Sequence, residues 1–142
     1  MRTALLAALA VSLAACGGSR MDAPLSLTGT WAGEGRQWDS GDRSQEPDAV
    51  WPLRITLNAD GTPSGSIDYP SLGCGGSLEY VGPNSAMDAQ AGDMVFRETL
   101  TYGTDACADG GTVLLRPSGR DLIYAWAIDG YAAEAAARLE RE

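Results

Sequence analysis

The chain has 142 residues, with ten basic against nineteen acidic groups and a net charge of −9. That length holds one hydrophobic core. Every basic residue is an arginine and there is no lysine or histidine, which excludes imidazole triads, Schiff-base lysines and P-loops, and removes the commonest zinc ligand; the acidic balance argues against a nucleic-acid partner.

Met1 and Arg2 make a short positive start, and Thr3 to Ala15 is an almost unbroken apolar run. The run has the length of a signal-peptide core and is too short to span a bilayer. It ends in Leu13-Ala14-Ala15-Cys16, which resembles the bacterial lipobox. The resemblance implies that residues 1–15 are a cleaved lipoprotein signal peptide and that Cys16 carries a diacylglycerol thioether. An ordinary secretory signal with a chance cysteine is the alternative. Two or three acyl chains (palmitate among them) hold a membrane far better than one, because each buried CH₂ contributes about 0.8 kcal/mol. Gly17, not an aspartate, follows the cysteine. In a Gram-negative host the sorting rule that this resembles sends the protein to the outer membrane, on the periplasmic side. Residues 16–26 are then a lipidated cysteine and a flexible tether of at most about 35 Å, and 27–142 the folded domain.

That domain has the pattern of an all-β meander. Leu27-Thr28-Gly29-Thr30-Trp31 carries a Gly-x-Trp at the start of the first strand and resembles the opening of lipocalins and avidin-like barrels. The resemblance implies that Trp31 plugs one end, with an arginine from the last strand, Arg138 or alternatively Arg141, stacked on it for about 0.5–2 kcal/mol. A long acidic loop, Trp38 to Ala49, follows. Over a barrel mouth it would act as a lid, or as a weak calcium site through Asp39, Asp42, Glu46 and Asp48. Its spacing matches no EF-hand, and a solvated loop is the simpler expectation. No metal or other cofactor is expected.

Trp51, Leu53, Ile55 and Leu57 alternate with Pro52, Arg54 and Thr56, which is strand periodicity. Asn58-Ala59-Asp60-Gly61 supplies a hairpin turn. Ile67 and Tyr69 share a face of the return strand, and Leu78 and Tyr80 continue the pattern. Met94, Phe96, Glu98, Leu100 and Tyr102 share one face of the next strand. Val113–Leu115 is short and apolar, Pro117 to Arg120 reads as a turn, and Leu122, Tyr124, Trp126 and Ile128 alternate again. Asp129-Gly130 is another turn. Tyr131 to Glu142 fits a final hairpin strand, with a docked helix as the alternative because of its helix-forming composition. About eight antiparallel strands with short turns suit closure into a small lipocalin-like β-barrel, which leaves no exposed edge; a β-sandwich is the alternative.

Three cysteines less the acylated one leave Cys74 and Cys107. An exported chain meets an oxidising compartment, so the pair is expected as a disulfide. A metal or redox site of two free thiols is the alternative, but it lacks a CxxC spacing and any histidine. A further resemblance covers residues 65–127. Asp68-Tyr69-Pro70-Ser71-Leu72-Gly73-Cys74-Gly75-Gly76, Arg97 to Gly103 and Cys107 to Val113 look like a small extracytoplasmic β domain of bacterial lipoproteins and membrane kinases, in which both cysteines have counterparts. Residues 83–92 look like an insertion relative to it. The resemblance implies a sensor-like or binding module and brings no catalytic residues.

Glu98 stands on an otherwise apolar strand face, between Phe96 and Leu100. A buried carboxylate costs several kcal/mol unless paired or protonated. It is either the polar floor of a ligand cavity, with a raised pKa, or one half of an ion pair with an inward arginine such as Arg36 or Arg138. If a cavity exists, Trp51, Tyr69, Tyr102, Tyr124 and Trp126 are expected to line it together with Glu98.

The expected function is that of a lipid-anchored, non-catalytic cell-envelope lipoprotein that binds a small apolar or amphipathic ligand or an envelope component. The alternative is a protein-binding inhibitor of a hydrolase or an envelope-interaction protein. An interior of about 300 Å³ or more would favour the small ligand, and a filled interior with an exposed apolar loop would favour the protein.

Overall fold

Alternating apolar side chains organise the chain into eight strands: β1 (Gly29–Trp38), β2 (Ala49–Asn58), β3 (Ser64–Tyr69), β4 (Cys74–Tyr80), β5 (Met94–Tyr102), β6 (Thr112–Ser118), β7 (Asp121–Ala127) and β8 (Glu134–Arg141). The computed structural model describes residues 26–82 and 87–142. The leader 1–15, Cys16, the tether up to residue 25 and residues 83–86 of the insertion lie outside the described residues.

Each strand pairs antiparallel with the next, and β8 pairs back onto β1 from Trp31–Arg141 to Trp38–Glu134, giving a closed eight-stranded barrel. The last segment is therefore a strand. Closure is what consumes its hydrogen-bonding groups, since both neighbours, β7 and β1, need a partner on that side. β2 shows the alternation most plainly, with Trp51, Leu53, Ile55 and Leu57 buried and Pro52, Arg54, Thr56 and Asn58 exposed. The interior is packed with side chains, led by Trp31, Tyr124, Phe96, Leu53 and Ile55, so the barrel is a core and not a tube.

Trp31 is fully buried at one end, and its indole N–H donates to the Leu27 carbonyl at 3.0 Å. The arginine stacked on it is Arg141, whose guanidinium lies 4.4 Å from the ring centroid and also donates to the carbonyls of Ser26 and Thr28. Arg138 does not serve as the plug. On β8, Ala135, Ala137 and Leu139 face inward, which puts Arg141 on their side and Arg138 on the opposite one, where it pairs with Asp121 at 2.6 Å.

Two boundaries differ from expectation. β6 runs on through Pro117 and Ser118, leaving Gly119-Arg120 as the turn. The β5–β6 ladder ends at Leu115, so Pro117 withholds no amide that β5 needs. Tyr131 lies in the β7–β8 loop, because β8 begins only at Glu134.

Candidate functional site

The end opposite Trp31 is open. Four loops rim it: residues 39–48, 70–73, 103–111 and 128–133. Between them lies a cup of about 230 Å³. Trp51, Tyr69, Glu98, Tyr124 and Trp126 all line it, with Gln37, Leu72, Ile128, Tyr131 and small residues of the 103–111 and β8 segments.

Local sequence explains how these groups meet. Gly35 on β1 faces Trp51 on β2 in direct register. A Cβ at Gly35 would lie 1.8 Å from the Trp51 ring, so the missing side chain is what lets the indole lie across β1. Trp51 then meets Tyr69 edge to face, with centroids 5.3 Å apart and planes at 88°. β5 and β6 pair only over Met94–Arg97. Beyond that the Glu98 amide donates to the Gly111 carbonyl and the Leu100 amide to Asp109 Oδ1, both at 2.8 Å. The 103–111 loop fills the gap between the parting strands, and the Cys74–Cys107 disulfide clamps it to β4.

Glu98 forms the floor and is 1% exposed. Its Oε1 accepts the Tyr69 hydroxyl at 2.7 Å, and its Oε2 accepts the Trp126 indole N–H at 2.8 Å. Tyr69 spends its proton on Glu98, so Tyr124, 3.1 Å away, donates to the Tyr69 oxygen. Burial pushes the Glu98 carboxyl above its ordinary pKa, the two hydrogen bonds oppose this, and the charge of Asp109 adds to the rise. Burial also holds the Tyr69 and Tyr124 phenols well above their usual range; Glu98 adds to the rise at both and Tyr124 adds to it at Tyr69, while the hydrogen bond with Tyr69 opposes it at Tyr124, so both stay neutral donors. Gly111 completes the arrangement. A Cβ there would lie 2.0 Å from the Trp126 indole nitrogen and 3.0 Å from Glu98 Oε2.

The expected ion pair of Glu98 with Arg36 or Arg138 is absent. Both arginines project from outward faces and pair with Glu34 and Asp121 respectively. None of the ion pairs among the described residues includes Glu98.

Tyr102 does not line the cup. A β-bulge shifts the β4–β5 register between Gly75 and Gly76, pairing Gly75 with Tyr102 and Gly76 with Leu100. The extra residue, Thr101, reverses the alternation. Tyr102 therefore turns outward, is 47% exposed, lies over the bare Cα of Gly75 and donates to Asp68.

The acidic loop is held by its own chain. Asp48 accepts the Asp39 amide, Asp42 accepts the Ser44 amide and hydroxyl, and the Trp38 indole donates to the Gln45 carbonyl. Among the described residues no three metal-ligating side chains gather. Arg43 ties the loop to Glu134 of β8 and lies over Trp38.

Sequence reasoning missed Gln37, Leu72, Ile128 and Tyr131 as rim residues. Leu72 and Tyr131 are large apolar groups, 40% and 73% exposed; the proline and glycine beside Leu72 were a readable turn signal, whereas Tyr131 was expected in the last strand. Comparison with protein-family models, curated proteins and solved structures finds no match to this chain.

Proposed function

We propose that this protein is a non-catalytic binding module of the cell envelope, held to a membrane by lipid on Cys16, which receives one end of an amphipathic ligand in the cup at the open mouth of its barrel. The observation that carries the reading is an open cavity lined by four aromatic side chains and one buried carboxyl, which two of them bond directly. At about 230 Å³ the cup falls below the volume of about 300–1,000 Å³ usual for a whole drug-sized ligand, so it suits a terminal group. A single carboxyl, tied by two neutral donors, provides no acid–base pair, which favours binding over turnover. Outer-membrane residence rests on the lipobox resemblance and on Gly17 after the cysteine.

A second reading has its own support. The barrel is filled, and Leu72 and Tyr131 stand exposed at the rim, which suits a protein partner such as a hydrolase or another envelope protein placing one side chain in the cup.

Native mass spectrometry of the protein purified from its host tests both readings. The expected result is a chain beginning at an acylated Cys16, carrying a non-covalent adduct of small-molecule mass that leaves on activation. A protein-sized adduct would move the conclusion to the second reading. A mass without acyl chains would remove the anchor, and an adduct that survives replacement of Trp51 and Trp126 by alanine would remove the cup as the site.

A further inference from the structure

Among the described residues Glu98 is a buried carboxyl with no cation of its own. Each carboxylate oxygen can accept two hydrogen bonds, and each accepts one, from a neutral donor. Trp51, Tyr69, Tyr124 and Trp126 line the same cavity as Glu98, and Tyr69 and Trp126 bond to it. Aromatic faces carry negative potential and attract cations. Carboxylic ligands would meet Glu98 at close range and repel it, and a purely apolar one would leave its charge uncompensated.

A second observation is independent of Glu98. The four loops that rim the mouth hold seven carboxylates and a single arginine, Arg43, and that arginine is engaged by Glu134. Field lines from such a rim converge on the opening and raise the local concentration of cations.

We propose that the cup takes the ammonium end of an organic cation, with Glu98 as its counter-ion and the two tryptophans and two tyrosines as its walls. This deepens the binding reading above and rests on it. The ammonium brings donors to the unused lone pairs of Glu98, and its apolar stem packs on Trp51 and Trp126 on the way out to Leu72 and Tyr131. A free amine and a lysine side chain of a partner protein share this chemistry.

Titration followed by indole fluorescence tests it, using 2-phenylethylammonium, its neutral analogue 2-phenylethanol and its anionic analogue 3-phenylpropionate. At about pH 8 and low salt the ammonium binds at least about tenfold tighter than the alcohol, and the anion more weakly still. Glu98→Gln keeps an acceptor for the Trp126 N–H and a donor for the Tyr69 oxygen. It brings the ammonium and the alcohol within about twofold of each other. Should that variant fail to fold, the wild-type protein gives the same information. Tyr69, Tyr124 and the charged Asp109 face Glu98 at the floor, and the tyrosines stay neutral. The preference therefore fades from about pH 8 to about pH 4.5 as Glu98 takes up its proton.

Nα-acetyl-lysinamide separates the two sources. Binding tighter than 2-phenylethylammonium assigns the cation to a protein side chain, and weaker binding assigns it to a small amine; both support the ammonium. Equal affinity for ammonium and alcohol in the wild-type protein overturns the inference and leaves the cup standing. Absence of any response to all four probes overturns the cup as well.

Discussion

Replacing Trp126 by phenylalanine removes one N–H from Glu98 while keeping most of the aromatic body. The consequence depends on pH in a way the geometry dictates. In the native protein the indole donates at 2.8 Å to a carboxyl that is 1% exposed, so the lost donor is replaced only by what the narrow cup admits. A hydrogen bond to a neutral acceptor contributes about 0.5–1.5 kcal/mol and one to a charged acceptor about 1.5–3 kcal/mol. The loss from Trp126→Phe is therefore larger by about 1–1.5 kcal/mol when Glu98 is ionised.

The direction with pH follows from burial. Glu98 is raised above 4.5 in the folded state. Its contribution to stability is fully present below that value and is lost as pH rises through the folded pKa. The Trp126 bond holds the pKa down, so removing it raises the folded value further and steepens the loss. Urea unfolding of both proteins, monitored by circular dichroism from about pH 4.5 to about pH 8, reads the difference. Asp93 slopes the other way. Arg116 holds its pKa down, so its contribution falls as pH drops, equally in both proteins, and cancels. On a Glu98→Gln background the pH-dependent part of the Trp126→Phe cost vanishes. A cost that is flat across the range, or larger at low pH, would refute the assignment of Glu98 as a buried titrating acceptor.

Three further outcomes are expected. Replacing Cys74 and Cys107 by alanine opens a loop spanning 33 residues of sequence and lowers unfolding free energy by about 3.7 kcal/mol in the chain-entropy model; hydrogen exchange of residues 103–111 should rise, since few ladder bonds remain to hold them. Gly35→Ala drives a methyl into the Trp51 ring and costs about 1–3 kcal/mol by overpacking, visible as a changed near-ultraviolet tryptophan signal and weaker binding in the cup. Arg141→Ala removes the guanidinium from Trp31 and loosens residues 26–28, lowering stability by about 0.5–2 kcal/mol in thermal melts. Arg138→Ala, which breaks a pair whose arginine is largely exposed, produces the smaller loss of the two.

The reach and the failures of sequence reasoning here have particular causes. Period-two runs such as 51–57 and 122–128 identify strands because side chains alternate across a pleated sheet. Counting about eight of them, joined by short turns, leads to a closed barrel because open edges are costly. The cysteine pair needed only parity and an oxidising compartment. Glu98 was conspicuous because a charge on an apolar face demands an explanation.

Its partners were a different matter. The arginines nearest in pattern, 36 and 138, were ruled out by facing, whereas Tyr69 and Trp126 come from strands 29 and 28 residues away in sequence. Tyr102 was misplaced because alternation was carried through a bulge that only the β4–β5 register reveals. The choice between Arg138 and Arg141 turned on which β8 residue stands opposite Trp31, which closure of the last strand on the first decides. Sequence alone determined the strand pattern and most of the inward-facing set, Tyr102 excepted, since both follow from local periodicity. Only the folded barrel decided which inward residues surround a cavity and which fill the core, because that depends on shear, bulges and loop clamps that join residues distant along the chain.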